Sequence, residues 1–428
     1  MKDLFELFYQ TTGVSTDTRK IAKDSLFICL KGSNFNGNTF AEQALLNGAK
    51  YVIVDEETYK TSEKIFLVED CLEYLQKLAN YHRNRFNIPV IGITGSNGKT
   101  STKELINIVL SSHYRVLSTI GNLNNHIGVP LTLLRLSDEH QIAIIEMGAN
   151  RFKDIEELCL IAEPTHGIIT NIGKAHLEGF GNFEGVLKTK KELYDAVALS
   201  NGTVIYNIDD ETLKSNLPDN VRHISYGTSE SADVTGELIG LNPFVELKWN
   251  HDDYQSPVLQ TQMIGKYNFY NYLAAITFGI CFDVPVNKIN HAISSYSPEN
   301  NRSQVKKTVV NTLILDCYNA NPTSMRSALE SFAMIDHPSK LFLIGDMLEL
   351  GNESEKEHQN IAELIIELGI KGFSIGPIFK KIHSTAFQAQ YENKDEAIDA
   401  LMKTPIKGAL VLLKGSRGIG LETLEEYL

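Results

Sequence analysis

Short apolar runs alternate with longer helix-like segments through the middle and last thirds of this chain. Each run has four to six mostly apolar residues, which is typical of parallel strands that are covered on both faces. The runs lie at residues 89–94, 142–145, 167–170, 312–316, 340–344 and 409–413. This pattern predicts an α/β protein with a central, doubly wound, mostly parallel sheet and a C-terminal Rossmann-like unit.

The first 85 residues have a different pattern. Two strand-like runs, 26–30 and 51–54, flank a turn-rich stretch at 31–38, and a helix-like stretch follows at 70–85. They predict a small N-terminal α/β domain. The polar stretch 295–304 predicts a second boundary further along the chain. We therefore expect three domains, at 1–85, 86–303 and 304–428.

Composition narrows the class of protein. A chain of 428 residues exceeds what one hydrophobic core usually serves. Its 40 Lys and Arg against 53 Asp and Glu give a net charge of −13, which disfavours a general binder of nucleic acid or anionic membrane. The five cysteines form no C-x-x-C pair, as expected in a reducing compartment. With acidic residues near its start and no apolar run of membrane-spanning length, we expect a cytoplasmic protein.

A glycine-rich loop joins the run at 89–94 to a helix-like segment that begins at Ser101. It reads Gly95-Ser96-Asn97-Gly98-Lys99-Thr100. In such a loop, backbone N–H groups and a helix N-terminus attract phosphate, the lysine reaches the terminal phosphates, and the threonine binds Mg²⁺. Ile93 stands where the usual first glycine belongs, and a plain Gly-Asn turn is the alternative. The strand before the loop and the helix after it favour nucleotide binding.

Two more polar residues follow strands of the same predicted sheet. Glu146 ends the run at 142–145, and His176 lies in the glycine-punctuated loop after 167–170. Ligands of doubly wound sheets bind at the carboxyl ends of the strands, where a carboxylate is suited to Mg²⁺. A helix-capping or ion-paired side chain is an equal alternative for Glu146. A solvated side chain is the commoner state of a loop histidine.

The helix predicted at 184–200 places Lys190 on its apolar face. Residues three and four positions away include Leu187, Leu193 and Tyr194. A lysine in such surroundings has a lowered pKa, and its neutral amine can react with CO₂ to form a carbamate. The residues alone favour the simpler alternative, in which the lysine stem packs on the core while the ammonium reaches solvent.

Three polar loops follow strands of the predicted C-terminal unit. They begin at Asp316, Gly345 and Lys414, directly after the apolar runs. The last loop also holds Arg417, so that it offers two cations to an anionic group. Because the carboxyl ends of parallel strands meet at one sheet edge, we expect these loops to face a common ligand.

Together these residues resemble the Mur ligases, ATP-dependent enzymes that form the amide bonds of the peptidoglycan stem peptide. The resemblance covers all three predicted domains. The family's ATP loop also lacks the usual first glycine, and Glu146, His176 and Lys190 fall on its motif positions. Further stretches resemble the branch of the family that adds D-alanyl-D-alanine, namely 15–19, 30–37, 121–130, 176–181, 318–322 and 345–351.

Two positions depart from the pattern of that branch. Many of its members carry an acidic residue where this chain has His126, so the role of His126 is left open. The stretch 418–420 falls in a variable region, and substrate contacts cannot be transferred to it.

The resemblance implies a ligase that joins D-alanyl-D-alanine to the terminal carboxylate of UDP-N-acetylmuramoyl-tripeptide through an acyl phosphate, using ATP and two Mg²⁺ ions. It implies catalytic roles for Lys99, His176 and Lys190, and metal binding by Thr100, Glu146, His176 and carbamoylated Lys190. The implied ATP-binding residues are Gly95, Ser96, Asn97, Gly98, Lys99, Thr100, Ser101, Asn268, Arg302 and Asp316.

The three domains would bind the UDP substrate, ATP and the incoming dipeptide in that order, and the last would close over ATP. The implied UDP-substrate residues are Thr16, Asp17, Arg19, Lys31, Asn36, Gly37, Asn124 and Asn125. Those on the D-alanyl-D-alanine side are Tyr318, Asn319, Asn321, Lys414, Ser416 and Arg417.

Two alternatives accompany this interpretation. Within the family, a ligase for another stem-peptide residue or a folylpolyglutamate-type relative is possible, although the N-terminal loop and 318–322 argue against both. A P-loop switch that binds a partner protein belongs to another class, and it needs neither a third α/β domain nor a buried lysine. We expect a monomer whose partners are its two substrates, without nucleic acid or membrane insertion. Whether the third residue of the tripeptide is diaminopimelate or lysine stays open.

Overall fold

Three sheets of four, ten and six strands follow one another along the chain. They are seen in a computed structural model that describes residues 2–173, 177–241 and 243–428. Most neighbouring strands are parallel, which confirms the predicted α/β class. None of the described helices combines the length and apolar character needed to cross a membrane.

The N-terminal unit is a four-stranded parallel sheet with a small hairpin. The sheet order is β1-β2-β5-β6, and β3 pairs with β4. The strands are β1 (Val14–Ser15), β2 (Leu26–Ile28), β3 (Lys31–Gly32), β4 (Phe35–Asn36), β5 (Tyr51–Val54) and β6 (Ile65–Leu67). The helices are α1 (Lys2–Phe5), α2 (Ala41–Leu46) and α3 (Cys71–Arg83).

The central unit carries the largest sheet. Its strands are β7 (Val90–Thr94), β8 (Val116–Ser118), β9 (Ile142–Glu146), β10 (His166–Ile169), β11 (Thr203–Asn207), β12 (Arg222–Gly227), β13 (Val234–Leu241), β14 (Phe244–His251), β15 (Tyr254–Gln255) and β16 (Leu259–Ile264). Its helices are α4 (Lys99–Ser111), α5 (Gly128–Leu133), α6 (Asp154–Ala162), α7 (Leu177–Phe180), α8 (Phe183–Leu199), α9 (Glu211–Lys214), α10 (Tyr267–Cys281) and α11 (Val286–Ser295).

Strand β7 lies in the middle of the parallel part of this sheet, between β9 and β10. All five of its residues are buried, as are all five of β9, which explains their continuous apolar sequence. The loops after β7, β9 and β10 therefore leave the sheet side by side at one edge. Helix α4 begins at Lys99, two residues before the predicted start at Ser101.

The C-terminal unit is a six-stranded sheet in the order β17-β18-β22-β19-β20-β21, parallel except for β17. Its strands are β17 (Gln304–Lys307), β18 (Thr312–Leu315), β19 (Lys340–Gly345), β20 (Gly372–Ile375), β21 (Ala389–Tyr391) and β22 (Leu410–Lys414). Its helices are α12 (Pro322–Met334), α13 (Ser354–Leu368) and α14 (Lys394–Lys403). The three predicted apolar runs are the adjacent strands β18, β22 and β19, so their polar loops share one edge.

Helix α3 fastens the N-terminal sheet to the central unit. The Arg83 guanidinium donates to the carbonyl oxygen of Ala162 at 2.9 Å, and the His82 ring contacts the Leu136 carbonyl oxygen at 3.0 Å. One hydrophobic cluster runs across this junction and includes the buried side chains Leu75, Leu78, Val129, Leu133 and Leu158. The two units thus share a core at this helix.

Candidate functional site

The glycine-rich loop between β7 and α4 is held by the loop that follows β10. Gly95 has a φ of +142°, and a Cβ there would overlap the hydroxyl group of Thr170. The Ser96 N–H donates to the Asn171 carbonyl oxygen at 2.9 Å, and the Asn97 N–H donates to Asn171 Oδ1 at 3.1 Å. These contacts give the loop its shape without a ligand, and the tight packing explains a glycine at position 95.

Helix α4 presents its first N–H groups at the end of this loop. Gly98, with a φ of +79°, turns the chain into the helix. The Thr102 N–H makes the first intrahelical bond, to the Gly98 carbonyl oxygen at 2.8 Å. The N–H groups of Lys99, Thr100 and Ser101 precede that bond and have no carbonyl partner within the helix. Together with the helix dipole they form a seat for an anion.

The Lys99 ammonium lies in this seat. Nζ donates to the Gly95 carbonyl oxygen at 2.7 Å and lies 3.3 Å from the Ser96 carbonyl oxygen. Burial lowers the pKa of Lys99, the charge of Arg302 lowers it further, and Glu146 opposes the shift. An anionic group beside Nζ would oppose this shift and favour the charged form.

Glu146, the last residue of β9, is almost fully buried at 1% exposure. Its Oε1 accepts from the Thr100 hydroxyl at 3.1 Å and from Asn124 Nδ2 at 2.8 Å. Its Oε2 is buried and has no hydrogen-bond partner among the described residues. A buried carboxylate oxygen without a partner is costly unless a cation or donor occupies the adjacent space. Glu146 is therefore neither a helix cap nor, within the described residues, part of an ion pair.

Lys190 lies within α8, whose prediction is confirmed. It is only 2% exposed, so the expectation that its ammonium reaches solvent is wrong. Burial lowers the pKa of Lys190 well below its usual value, and the charge of Lys99 lowers it further. Asp154 and Glu192 oppose this shift. Leu187, Leu193 and Tyr194 on the same face of the helix are buried as well.

The predicted ligand His176 lies outside the described residues. Within the described part of the chain, there is no group of three or more His, Cys, Asp and Glu side chains that could hold a metal ion. Glu146 and Thr100 are the predicted metal ligands that the structure brings into contact.

A cavity of about 1700 Å³ opens over the phosphate loop. Its wall includes residues of the central sheet edge, the C-terminal unit and helix α3. The predicted site residues that line it are Ser96, Asn97, Gly98, Lys99, Thr100, Ser101, Asn124, Asn125, Glu146, Asn268, Arg302, Asp316, Tyr318, Asn319, Asn321 and Lys414. Residues predicted separately for ATP and for the dipeptide thus share one cavity.

A network of buried amides lies under one side of this cavity. Asn268 donates to the Ile264 carbonyl oxygen at 2.7 Å, and Asn271 donates to Asn268 Oδ1 at 2.8 Å. Asn271 Oδ1 in turn accepts from the Thr102 hydroxyl at 3.0 Å. Asn268 and Asn271 are 0% and 8% exposed, so neither is a surface amide.

Ser303 completes this network and was not predicted. Its hydroxyl lies 2.7 Å from the Tyr267 hydroxyl and accepts from Asn268 at 3.1 Å, while its N–H donates to Asp316 Oδ1 at 3.2 Å. Its φ of +52° is unusual for a serine. Its position directly after Arg302 is the one signal in the sequence that could have singled it out.

The first polar loop of the C-terminal unit folds against Arg302 and Lys414. The Arg302 guanidinium lies 3.8 Å from the centre of the Tyr318 ring. Lys414 Nζ makes a 2.6 Å ion pair with Asp316 Oδ2, and the two side chains are 2% and 16% exposed. A residue predicted for the nucleotide is therefore paired with one predicted for the dipeptide.

Asn321 links the C-terminal unit directly to the phosphate loop. Its Nδ2 donates to Asn97 Oδ1 at 2.7 Å. Its Oδ1 accepts the Ser324 N–H at 2.9 Å and so caps helix α12. One side chain thus serves both the local helix and the contact between the two units.

The predicted N-terminal site residues lie apart from this cavity. Asp17 and Arg19 form an exposed ion pair at 2.8 Å, and Lys31 pairs with Asp55 and Glu56 at 2.8 and 2.9 Å. None of the residues predicted for the uridine diphosphate group lines the cavity, namely Thr16, Asp17, Arg19, Lys31, Asn36 and Gly37. The acidic partners of Lys31 were not predicted.

Two residues predicted for the dipeptide also lie outside the cavity wall. Ser416 Oγ accepts the Leu348 N–H at 2.9 Å and so joins two of the C-terminal polar loops. Arg417 is exposed, with its guanidinium 5.6 Å from the centre of the Tyr318 ring.

Three family models match successive parts of the chain. They are described as the catalytic domain of the Mur ligase family at residues 10–83, the Mur ligase middle domain at 93–279, and the Mur ligase glutamate ligase domain at 301–417. UDP-N-acetylmuramoyl-tripeptide–D-alanyl-D-alanine ligase of Bacillus subtilis is 35% identical over 97% of this chain and 93% of its own.

Solved structures give the same result. MurF from Acinetobacter baumannii matches with a TM-score of 0.87 and 29% identity, over 98% of this chain and 97% of the other. MurF from Thermotoga maritima, solved in complex with ADP, matches with a TM-score of 0.88 and 27% identity, over 100% and 98%.

Proposed function

Because this chain belongs to the Mur ligase family, we propose that it joins D-alanyl-D-alanine to the terminal carboxylate of UDP-N-acetylmuramoyl-tripeptide at the expense of ATP. Relatives named for this reaction are similar to it over nearly its whole length. The observation that carries the proposal is the anion seat at Lys99, in a cavity whose other wall belongs to the C-terminal unit. A ligase of three substrates needs such a shared cavity.

The reaction requires activation of a carboxylate, because hydroxide is a poor leaving group. The tripeptide carboxylate attacks the γ-phosphorus of ATP, which gives an acyl phosphate and ADP. The amine of D-alanyl-D-alanine then attacks the acyl carbon, and the tetrahedral intermediate collapses to the amide and inorganic phosphate, with loss of the amine proton. Both steps gather negative charge, which fixed cations and N–H donors stabilise.

We assign the nucleotide phosphates to the first turn of α4. The N–H groups of Lys99, Thr100 and Ser101 would donate to phosphate oxygens, and the Lys99 ammonium would exchange its two carbonyl contacts for phosphate. The buried network of Asn268 lies on the adjoining side of the cavity, where the adenosine part would bind. Arg302, at the cavity wall, adds a second positive charge to the phosphates.

The residues present fit a Mg²⁺ ion. The unpartnered Oε2 of Glu146 and the adjacent Thr100 hydroxyl are hard oxygen donors, and phosphate and water complete such sites. When bound, the ion supplies positive charge that screens the phosphates from the approaching carboxylate. Thr100 holds its hydroxyl toward Glu146 and so keeps both donors on one side of the loop.

We propose carbamoylation of Lys190 on the same grounds. Burial lowers the pKa of its amine well below the usual value and so raises the share of the neutral form. The neutral amine is the form that attacks CO₂, with loss of one proton, to give a carbamate. The product is an oxygen anion that suits a second Mg²⁺, with His176 as the other implied ligand. A carbamate would also remove the cost of burying an ammonium beside Lys99.

The remaining assignments divide the chain into domains at 1–85, 86–303 and 304–428, and each sheet falls within one of these ranges.

The uridine diphosphate group is assigned to the N-terminal unit, around Arg19 and Lys31. Asn124 and Asn125, in the cavity wall, receive the sugar-peptide part. Tyr318, Asn319 and Asn321 face the dipeptide. A monomer that works in the cytoplasm fits these nucleotide-linked substrates.

The test is phosphate release from ATP by the full chain. Release is expected only when ATP, the UDP-linked tripeptide and D-alanyl-D-alanine are all present, with one amide formed per phosphate. Release that is unaffected by both substrates would contradict the proposal and favour a nucleotide switch. Turnover with a single amino acid in place of the dipeptide would favour a ligase for another stem-peptide residue.

A further inference from the structure

Three charged residues in the first turn of α6 or just before it line the cavity without an assigned role. They are Arg151, Asp154 and Glu157, and the first follows Glu146 by five residues. The intervening Gly148, Ala149 and Asn150 also line the cavity. Both Glu146 and Arg151 line the cavity, and a chain of five residues spans at most about 17 Å, which limits how far apart they can lie.

Asp154 fixes the position of Arg151. Its Oδ2 accepts the backbone N–H groups of Asn150 at 2.8 Å and Arg151 at 3.0 Å, and its Oδ1 accepts Arg151 Nε at 2.7 Å. These three bonds occupy both carboxylate oxygens of Asp154. They engage only Nε of the guanidinium group, which leaves both terminal nitrogens to other partners.

Glu157 supplies an acid beside this cation. Its Oε2 lies 3.5 Å from a terminal nitrogen of Arg151, and the two side chains are 51% and 68% exposed. Such an exposed pair contributes little to folding, so its members are available to a ligand. One guanidinium and one carboxylate thus stand side by side in the cavity wall.

This pair lies near the residues assigned to the reaction. Asp154 is close enough to Lys190 to oppose the fall in the pKa of that lysine. The carbonyl oxygen of Asn150 lies against Gly179 of α7, where a Cβ would overlap it. A substrate whose carboxylate reacts beside Lys99 and Glu146 would therefore have neighbouring atoms at Arg151.

The chemistry of the third tripeptide residue matches this arrangement. One carboxylate of that residue reacts, and its far end carries an ammonium in lysine but both an ammonium and a carboxylate in diaminopimelate. A zwitterion needs an acid and a cation side by side. A lysine ammonium needs only the acid and would stand against the like charge of Arg151.

We infer that Arg151 and Glu157 bind the far end of the third residue and select diaminopimelate over lysine. This inference rests on the proposed ligase function. Arg151 receives the far carboxylate through its terminal nitrogens, a geometry in which guanidinium is especially effective. Glu157 receives the ammonium, and Asp154 acts as a positioning residue for Arg151.

The first measurement is kcat/KM of the full-length enzyme with the two UDP-linked tripeptides, at saturating ATP and D-alanyl-D-alanine. The diaminopimelate form is expected to be favoured by about tenfold or more, as for one charge-assisted contact. A third substrate, with the far carboxylate converted to an amide, is expected to behave like the lysine form. Equal use of all three, or preference for lysine, would overturn the inference.

The second measurement uses a matched pair of variants. Arg151→Gln is expected to lower the ratio of kcat/KM for the diaminopimelate form to that for the lysine form about tenfold, through KM. It should leave kcat/KM for the amidated substrate at its wild-type value. Lys153→Gln removes a cation two residues away whose side chain is 75% exposed and outside the cavity wall, so the ratio should not change. Glu157→Gln should raise KM for all three substrates, since each carries the ammonium.

The outcomes separate this inference from the proposed function. If amide forms with either tripeptide but Arg151→Gln leaves the ratio unchanged, the inference fails while the ligase stands. If neither tripeptide supports amide formation, the proposed function fails first. If Arg151→Gln lowers kcat/KM equally for all three substrates, Arg151 has a general structural role, which also overturns the inference.

Discussion

The contact between Asn321 and Asn97 allows the link between the C-terminal unit and the phosphate loop to be weakened by itself. Asn321 uses Nδ2 for the link, at 2.7 Å, and Oδ1 for the cap of α12, at 2.9 Å. Serine is about as good a helix cap as asparagine but is too short to reach Asn97. Asn321→Ser therefore removes the link and keeps the cap, whereas Asn321→Ala removes both.

The expected magnitudes follow from these two bonds. A neutral hydrogen bond contributes about 0.5–1.5 kcal/mol, so loss of the link should shift the equilibrium between joined and separated units about 2- to 12-fold. In both variants, KM for D-alanyl-D-alanine should rise by about that factor. Loss of the cap costs about 1 kcal/mol, which lowers the melting temperature by about 3 °C in Asn321→Ala alone.

Phosphate-release kinetics and thermal melts of the same preparations measure both effects. A double-mutant cycle with Asn97→Ala separates the link from direct contact of Asn321 with the dipeptide. If the link is responsible, the effects on KM are not additive, and the double variant resembles either single variant. Additive effects, or an Asn321→Ser variant with wild-type KM, would refute the reasoning.

Three further predictions concern individual ionisable residues. Glu146→Gln should lower kcat about 100-fold at saturating Mg²⁺ without lowering the melting temperature, because it removes a buried carboxylate whose Oε2 has no described partner; an unchanged kcat would contradict the assigned role. Lys190→Ala should lose activity and regain part of it when short carboxylic acids are added, and the absence of any rescue would contradict the carbamate. Burial, with a smaller contribution from Arg222, depresses the pKa of His166 from 6.5 to about 4. Between about pH 6.5 and pH 4, His166 is protonated in the unfolded chain but not in the folded chain. The free energy of unfolding therefore falls by up to about 3 kcal/mol as the pH drops through this range. Urea titrations at about pH 7 and about pH 4.5 measure this change. The free energy of unfolding should fall less on acidification in His166→Gln than in the wild type, and an equal fall in both would assign the effect to other groups.

Much of the central site followed from local sequence pattern. The strands β7 and β9 are continuously apolar because both of their faces are buried, and the residues after such strands lie at a common edge. The sequence pattern therefore predicts that Glu146 and the phosphate loop lie next to each other. Helix α8 was equally predictable, because its apolar face repeats at helical spacing.

The remainder depended on contacts between distant parts of the chain. Periodicity placed Lys190 on an apolar face, yet only the packed structure shows that its ammonium does not reach solvent. The bond from Asn321 to Asn97 joins residues 224 positions apart, and no local pattern encodes such a contact. Ser303 was missed because its role comes from contacts with Tyr267 and Asn268, which lie 36 and 35 positions away in the sequence.

The roles of individual site residues stay predictions. His176 lies outside the described residues, and the N-terminal residues predicted for the uridine diphosphate group lie apart from the cavity. Lys31 shows why side-chain type alone is insufficient there, since Asp55 and Glu56 already neutralise its charge. A ligand must compete with that pair.

Helix α3 also limits how this chain can exchange parts with its relatives. Its sequence belongs to the N-terminal unit, but Arg83 and His82 bond to the central unit, and its leucines share a cluster with α5 and α6. A chimera joined at residue 85 would set a foreign helix against this surface and leave its carbonyl groups and apolar side chains mismatched. A junction near residue 70 would keep the native interface, so the unit of recombination is smaller than the N-terminal unit.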